Sequence, residues 1–152
     1  MFRWDGISAI YSDKDAPVRV ALEMRLTGDS NIILAPQRGN ENGTISIEVL
    51  TTLITPDKTW QNFNQKIADI WNSYTGENGN KLNDRPHWAK EWSGLRVHGK
   101  EVEQYFKEDA YYDAFKEFRM RFGAILKARD VTLADTLDRF GTETMKRLIF
   151  EQ

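Results

Sequence analysis

The sequence contains no cysteine. That absence excludes disulfides, thiolate nucleophiles, iron–sulfur clusters and cysteine-based zinc sites, so any chemistry must come from oxygen, nitrogen or a borrowed cofactor. Net charge is also nearly missing: 21 Lys+Arg stand against 23 Asp+Glu, a formal −2. With no field to draw the chain onto a phosphate backbone, nucleic acid is not an expected partner. No apolar run approaches the roughly 18 residues of a membrane-spanning helix. Asp5, Asp13, Lys14, Asp15 and Glu23 interrupt the first stretch in a way that a signal-peptide core does not tolerate. These absences predict a cytoplasmic protein without a transmembrane segment.

What is present is an ordinary globular composition. The 152 residues are 40% apolar, 12% aromatic and 29% charged, enough for one domain over 1–152 with its own core. The N-terminal third is written in period two. In Val18 to Thr27, Val18, Val20, Leu22, Met24 and Leu26 share one face, which predicts a half-buried strand. Apolar runs at Ile7 to Tyr11 and Asn31 to Ala35, and alternation from Thr44 to Leu53, predict further antiparallel strands. At Thr55-Pro56-Asp57 the period changes. Thr55 can cap, Pro56 suits a first helical position, and Trp60, Phe63, Ile67, Ile70, Trp71 and Tyr74 continue at a spacing of three to four.

After a turn-forming stretch from Thr75 to Lys81, residues 82–99 lack a period but hold two of the five tryptophans. From Lys100 onward the pattern is helical. Tyr111, Phe115, Phe118, Phe122 and Ile125 form a second stripe, Thr132 to Asp135 looks like a capping box, and a last amphipathic stretch runs from Thr142 to Phe150. Strands first and helices later predict an α+β fold, an antiparallel sheet with helices packed on one face and a helical C-terminal part. A sheet this small leaves an open edge, which would permit self-association.

Side chains alternate along a strand, so Glu23 and Arg25 lie on the same polar face. An acid and a guanidinium so placed can hold an alcohol or carbonyl, the carboxylate accepting a proton or hydrogen bond and the cation stabilising developing negative charge. An exposed ion pair would look the same. Ser46 and Glu48 share a face of the later strand and extend this surface if the two strands pair, but the register is not readable. Arg85-Pro86-His87-Trp88-Ala89-Lys90-Glu91-Trp92 concentrates a titratable ring, an ammonium and two indoles. Lys90 could polarise an oxygen and the indoles could cover a ligand, or the indoles could simply fasten the loop to the core. His87 and Glu91 are four apart but lack further ligands at metal spacing, so no metal is expected. His98 stands alone. The glycines of residues 38–43 join two strands without opening a helix and match no phosphate loop.

Leu22-Glu23-Met24-Arg25 on a strand, a second strand about twenty residues on, and Arg85-Pro86-His87-Trp88-Ala89-Lys90 together resemble the C-terminal, substrate-binding (cap) region of the FAD-linked oxidases of the vanillyl-alcohol oxidase superfamily. The sugar-lactone and alditol oxidases, of D-arabinono-1,4-lactone oxidase type, and the flavin-linked cholesterol oxidases are the nearest in look. The resemblance runs from about Tyr11 to Arg139-Phe140 and implies that this chain is the latter part of such a cap domain. It implies FAD as cofactor, a small-molecule alcohol or lactone as substrate, and hydride transfer from a CH–OH group to flavin with oxygen as acceptor. It further implies Glu23, Arg25 and Lys90 as catalytic residues, and Ser46, Glu48, His87, Trp88 and Trp92 around the substrate. Three departures stand against it. Ala89 replaces a glycine, Ser46 and Glu48 lie on a strand where the sugar oxidases place a histidine and a threonine, and no flavin-binding domain is present, so FAD would have to come from such a domain in trans. The alternatives are a free-standing non-redox binding or acid–base domain, and a structural interaction module.

Overall fold

The computed structural model describes residues 2–18 and 22–151, with side chains from Ile7 onward. In chain order it contains α1 (Phe2–Ser12), β1 (Glu23–Thr27), β2 (Thr44–Glu48), α2 (Asp57–Asn72), β3 (Arg96–Val97), β4 (Lys100–Glu101), α3 (Val102–Tyr105), α4 (Tyr112–Ala128), α5 (Leu133–Phe140) and α6 (Glu143–Met145). A π-helical turn follows α3 over Phe106–Ala110, and another follows α6 over Lys146–Phe150. The fold is α+β, as the order of periods predicts.

Helices dominate more than that prediction implies. Instead of one sheet the described residues form two antiparallel ribbons, β1 with β2 and β3 with β4. The stretch Ile7 to Tyr11, expected as a strand, lies in α1. Ile7 and Ile10 also fit a helical spacing, and burying Ile10 against Phe63 and Ile67 of α2 decides between the two periods. Asn31 to Ala35, also expected as a strand, opens a series of turns, with Ala35 N–H bonded to Ile32 O (3.1 Å) and Arg38 N–H to Ala35 O (3.1 Å). Of the strand expected over Val18 to Thr27, only the part from Glu23 is extended, and residues 19–21 lie outside the described residues.

α2 follows its aromatic period. Phe63 and Ile67 are buried, and Trp60, Ile70 and Trp71 pack around them. Its expected cap is absent: Pro56 occupies the cap position, and the Thr55 hydroxyl shares a 2.7 Å hydrogen bond with Thr51 Oγ1 instead. Thr132 does cap α5, its Oγ1 accepting from Asp135 N–H at 3.1 Å. The larger core gathers around Phe106, fully buried, which meets the Trp92 indole edge-on at 5.4 Å and the Tyr111 ring at 5.5 Å. Tyr111 stacks in turn on Phe115 at 5.6 Å. Further along α4, Phe118 and Phe122 stack on each other and meet the Phe150 ring edge-on and tilted, while Leu126 rather than the expected Ile125 turns inward.

The β3–β4 turn is two residues long, His98 and Gly99, both at positive φ (49° and 82°), as a tight hairpin of this hand requires. His98 is not alone there. Its Nε2 lies 3.0 Å from Asp84 Oδ1, and its ring meets Tyr105 edge-on at 5.6 Å.

The C-terminal π turn is fastened to α3 by a two-pronged ion pair, Arg147 Nη2 to Glu103 Oε1 (2.6 Å) and Nε to Oε2 (2.7 Å). That guanidinium holds the Glu103 carboxyl below its ordinary value of 4.5. A carboxyl lowered on folding stabilises the native state fully above its unfolded value, and the contribution fades as pH falls below 4.5 toward the lowered folded value. Urea midpoints measured between pH 7 and pH 3 are therefore expected to fall less steeply for Glu103→Gln than for the wild type. Parallel acid limbs would show that the pair contributes nothing.

Candidate functional site

Cross-strand register decides what the β1–β2 ribbon presents. Glu23 lies opposite Glu48, Arg25 opposite Ser46 and Thr27 opposite Thr44, so all six side chains share one face. Met24, Leu26, Ile45 and Ile47 share the other. The apolar face is open among the described residues: Met24 is 46% exposed and Leu26 71%, against the half-buried strand expected. Gly43, which turns the chain into β2 at φ 91°, leaves only 3.1 Å between a would-be Cβ and Thr27 O. Any side chain there would crowd the ribbon end.

On the polar face Arg25 is forked between two carboxylates. Its Nη2 donates to Glu23 Oε2 at 2.6 Å and its Nη1 to Glu48 Oε1 at 3.2 Å. Lys90 reaches the same Glu48 oxygen from its loop, at 3.5 Å. Residues from three segments thus converge, and Glu48 is their hub. Its side chain is 21% exposed, against 51% for Glu23, 61% for Arg25 and 58% for Lys90. The two cations and two carboxylates cancel in formal charge.

The loop that delivers Lys90 is held from both sides. Trp88 Nε1 donates to Leu34 O (3.2 Å), Trp92 Nε1 donates to Trp88 O (2.8 Å), and both indoles pack against the main core. Between them a turn closes with Lys90 N–H bonded to His87 O at 2.8 Å. His87 Nδ1 accepts from Ala89 N–H at 3.2 Å, which for a neutral ring places the proton on the exposed Nε2. Ala89 is absent from the positive-φ residues, so this turn accommodates alanine without strain. Glu23, Arg25, Glu48 and Lys90 are therefore brought together with Ser46 beside them, whereas His87, Trp88 and Trp92 shape and anchor the loop.

Arg85 is the residue that reading the chain for site chemistry overlooks. Its guanidinium donates to Pro36 O (3.2 Å) and Arg38 O (2.8 Å) and lies 5.3 Å from the Tyr111 ring centre. Arg38 in turn donates to Glu117 Oε2 on α4 at 2.6 Å. This chain of contacts fixes the β1–β2 connection, and with it the ribbon, to the helical core. Burial pushes the Tyr111 hydroxyl up to about 12, so it keeps its proton near neutrality and cannot serve as a base.

No group of three or more metal-ligating side chains occurs among the described residues, and no helix there is long and apolar enough to cross a membrane. The features of the described residues do not form a cradle for FAD. The 38–43 turn joins strands rather than opening a helix toward a pyrophosphate. Two clefts, one beside His98, Lys100 and Tyr105 and one beside Asp13 and Lys66, measure about 270 and 280 Å³ and exclude the Glu48 hub; cofactor pockets usually span about 300–1,000 Å³. The polar quartet is an open face that could bound one wall of an active site.

No curated protein and no solved structure matches the chain. The sequence profile of the D-arabinono-1,4-lactone oxidase family matches residues 5–125, a span that takes in β1, β2 and the Lys90 loop. On that match, covering well over half of the 152 residues, the chain belongs to the D-arabinono-1,4-lactone oxidase family.

Proposed function

We propose that this chain is the substrate-binding part of an FAD-linked oxidoreductase acting on the CH–OH group of a lactone or related alcohol. The observation that carries the reading is the convergence of Glu23, Arg25 and Lys90, from two separate segments, on one polar face. The match to the lactone oxidase family over residues 5–125, which takes in all three, supports the same reading.

FAD, held by a separate flavin-binding domain, would supply the hydride acceptor, with oxygen as the terminal acceptor. The chain's own residues manage the hydroxyl. Glu23 orients the hydroxyl through a hydrogen bond and takes up its proton, while Arg25 and Lys90 stabilise the negative charge that builds on oxygen as that proton moves to the Glu23 carboxylate. Ser46 offers a further hydroxyl across from Arg25.

The test is the visible spectrum of the purified chain with FAD and a flavin-binding domain of the same family supplied in trans. Anaerobic bleaching of the flavin by a lactone or alcohol, dependent on the chain and lost with Lys90→Ala, is the expected result. A folded chain that never alters the flavin spectrum or its bleaching would sink the redox reading and favour a non-redox binding domain.

A further inference from the structure

Glu48 occupies an unusual position for a residue beside a substrate. One of its oxygens, Oε1, receives both Arg25 Nη1 (3.2 Å) and Lys90 Nζ (3.5 Å), and it is the least exposed member of the quartet. Two cations pointed at one place form a ready site for a carboxylate. Here that place is taken by a carboxylate of the protein itself.

We infer that Glu48 is a built-in counter-anion that makes this site select uncharged hydroxyl compounds over their carboxylate-bearing counterparts. The inference rests on the proposed substrate-binding role of this face. An incoming carboxylate must displace Glu48 from both cations, and then sits beside two carboxylates of like charge, Glu48 and Glu23. An incoming hydroxyl meets neither obstacle, because it can donate to a Glu48 or Glu23 oxygen while the cations stay paired. For a lactone the distinction is pointed. Ring opening by water converts it into a hydroxy acid with the same carbon skeleton and a negative charge, and Glu48 would keep that acid out.

The test uses two probes that differ at one carbon, D-sorbitol and D-gluconate, titrated into the whole chain and followed by the backbone amide resonances of Arg25, Ser46 and Lys90. Glu48→Gln removes the charge at nearly constant shape, and Glu48→Thr removes it with a smaller side chain, so a folding defect in one leaves the other. Expected is a rise in gluconate affinity of about tenfold in both variants at low salt, with sorbitol changed by less than about threefold. The gluconate gain should shrink at high salt, as a charge effect must. If sorbitol moves these resonances in the wild type but gluconate affinity stays within about twofold in both variants, the counter-anion role is wrong and the binding face stands. If neither probe moves them in any of the three proteins, the inference falls together with the binding face.

Discussion

Replacing Arg25 by alanine is expected to lower kcat by on the order of 10²–10³ in the enzyme reconstituted with its flavin-binding domain, the usual loss when one donor to a developing oxyanion is removed. The substitution also frees Glu23, at 2.6 Å, from its cation and leaves Glu48, at 3.2 Å, to Lys90 alone, a net negative charge where the proposed reaction would build negative charge on the substrate oxygen. Arg25→Lys keeps the charge but not the planar pair of donors, and should recover only part of the loss. Because the Arg25 side chain is 61% exposed and outside both hydrophobic clusters, the fold should survive, which circular dichroism checks. A kcat within about threefold of the wild type would remove Arg25 from the reaction.

The second large effect is on stability. Phe106→Ala should cost about 3–5 kcal/mol, the range for truncating a fully buried aromatic. Phe106 is 0% exposed, and its ring is the common neighbour of Trp92 and Tyr111. A loss of that size is a large share of the roughly 5–15 kcal/mol that separates most domains from the unfolded state. It should appear as a marked fall in the urea midpoint. The consequence extends to the site, because the Trp92 indole that rests on Phe106 also holds the end of the Lys90 loop through Trp88 O. Phe106→Leu, which fills more of the volume, should lose much less; equal losses for the two would mean that the ring contacts themselves, not the filled volume, are what matters.

The parts of this fold that could be read from the chain are those where a period runs long enough to be unambiguous. The aromatic stripe of α2 and that of α4 are both where the spacing puts them, apart from the exchange of Ile125 for Leu126 at the far end of α4. α1 was misread because its apolar run is short and satisfies both periods, so only its packing on Phe63 and Ile67 decides. The two threonines expected as caps part ways, and a neighbour decides the difference. Thr132 caps its helix and donates to the Asp135 carboxylate of the same turn, whereas Thr55 is drawn to Thr51.

The candidate site was half legible. Alternation alone placed Glu23 beside Arg25, and placed Glu48 and Ser46 on one face of the next strand. Register, which period two leaves undetermined, was needed to put Glu48 opposite Glu23 and within reach of Lys90. Arg85 could not be recognised as a structural clamp, because its carbonyl partners, Pro36 and Arg38, are almost fifty residues away in sequence.

The facing of Ser46 and Arg25 across the ribbon has a practical use. Since the chain has no cysteine, Ser46→Cys would introduce its one sulfhydryl, at the centre of the polar face and beside a fixed cation that favours the reactive thiolate. A single fluorophore or spin label attached there would need no background thiols removed. Placed directly across from the Arg25 fork, it would report arrival of a small molecule at that fork, turning the register of two short strands into an optical readout of binding.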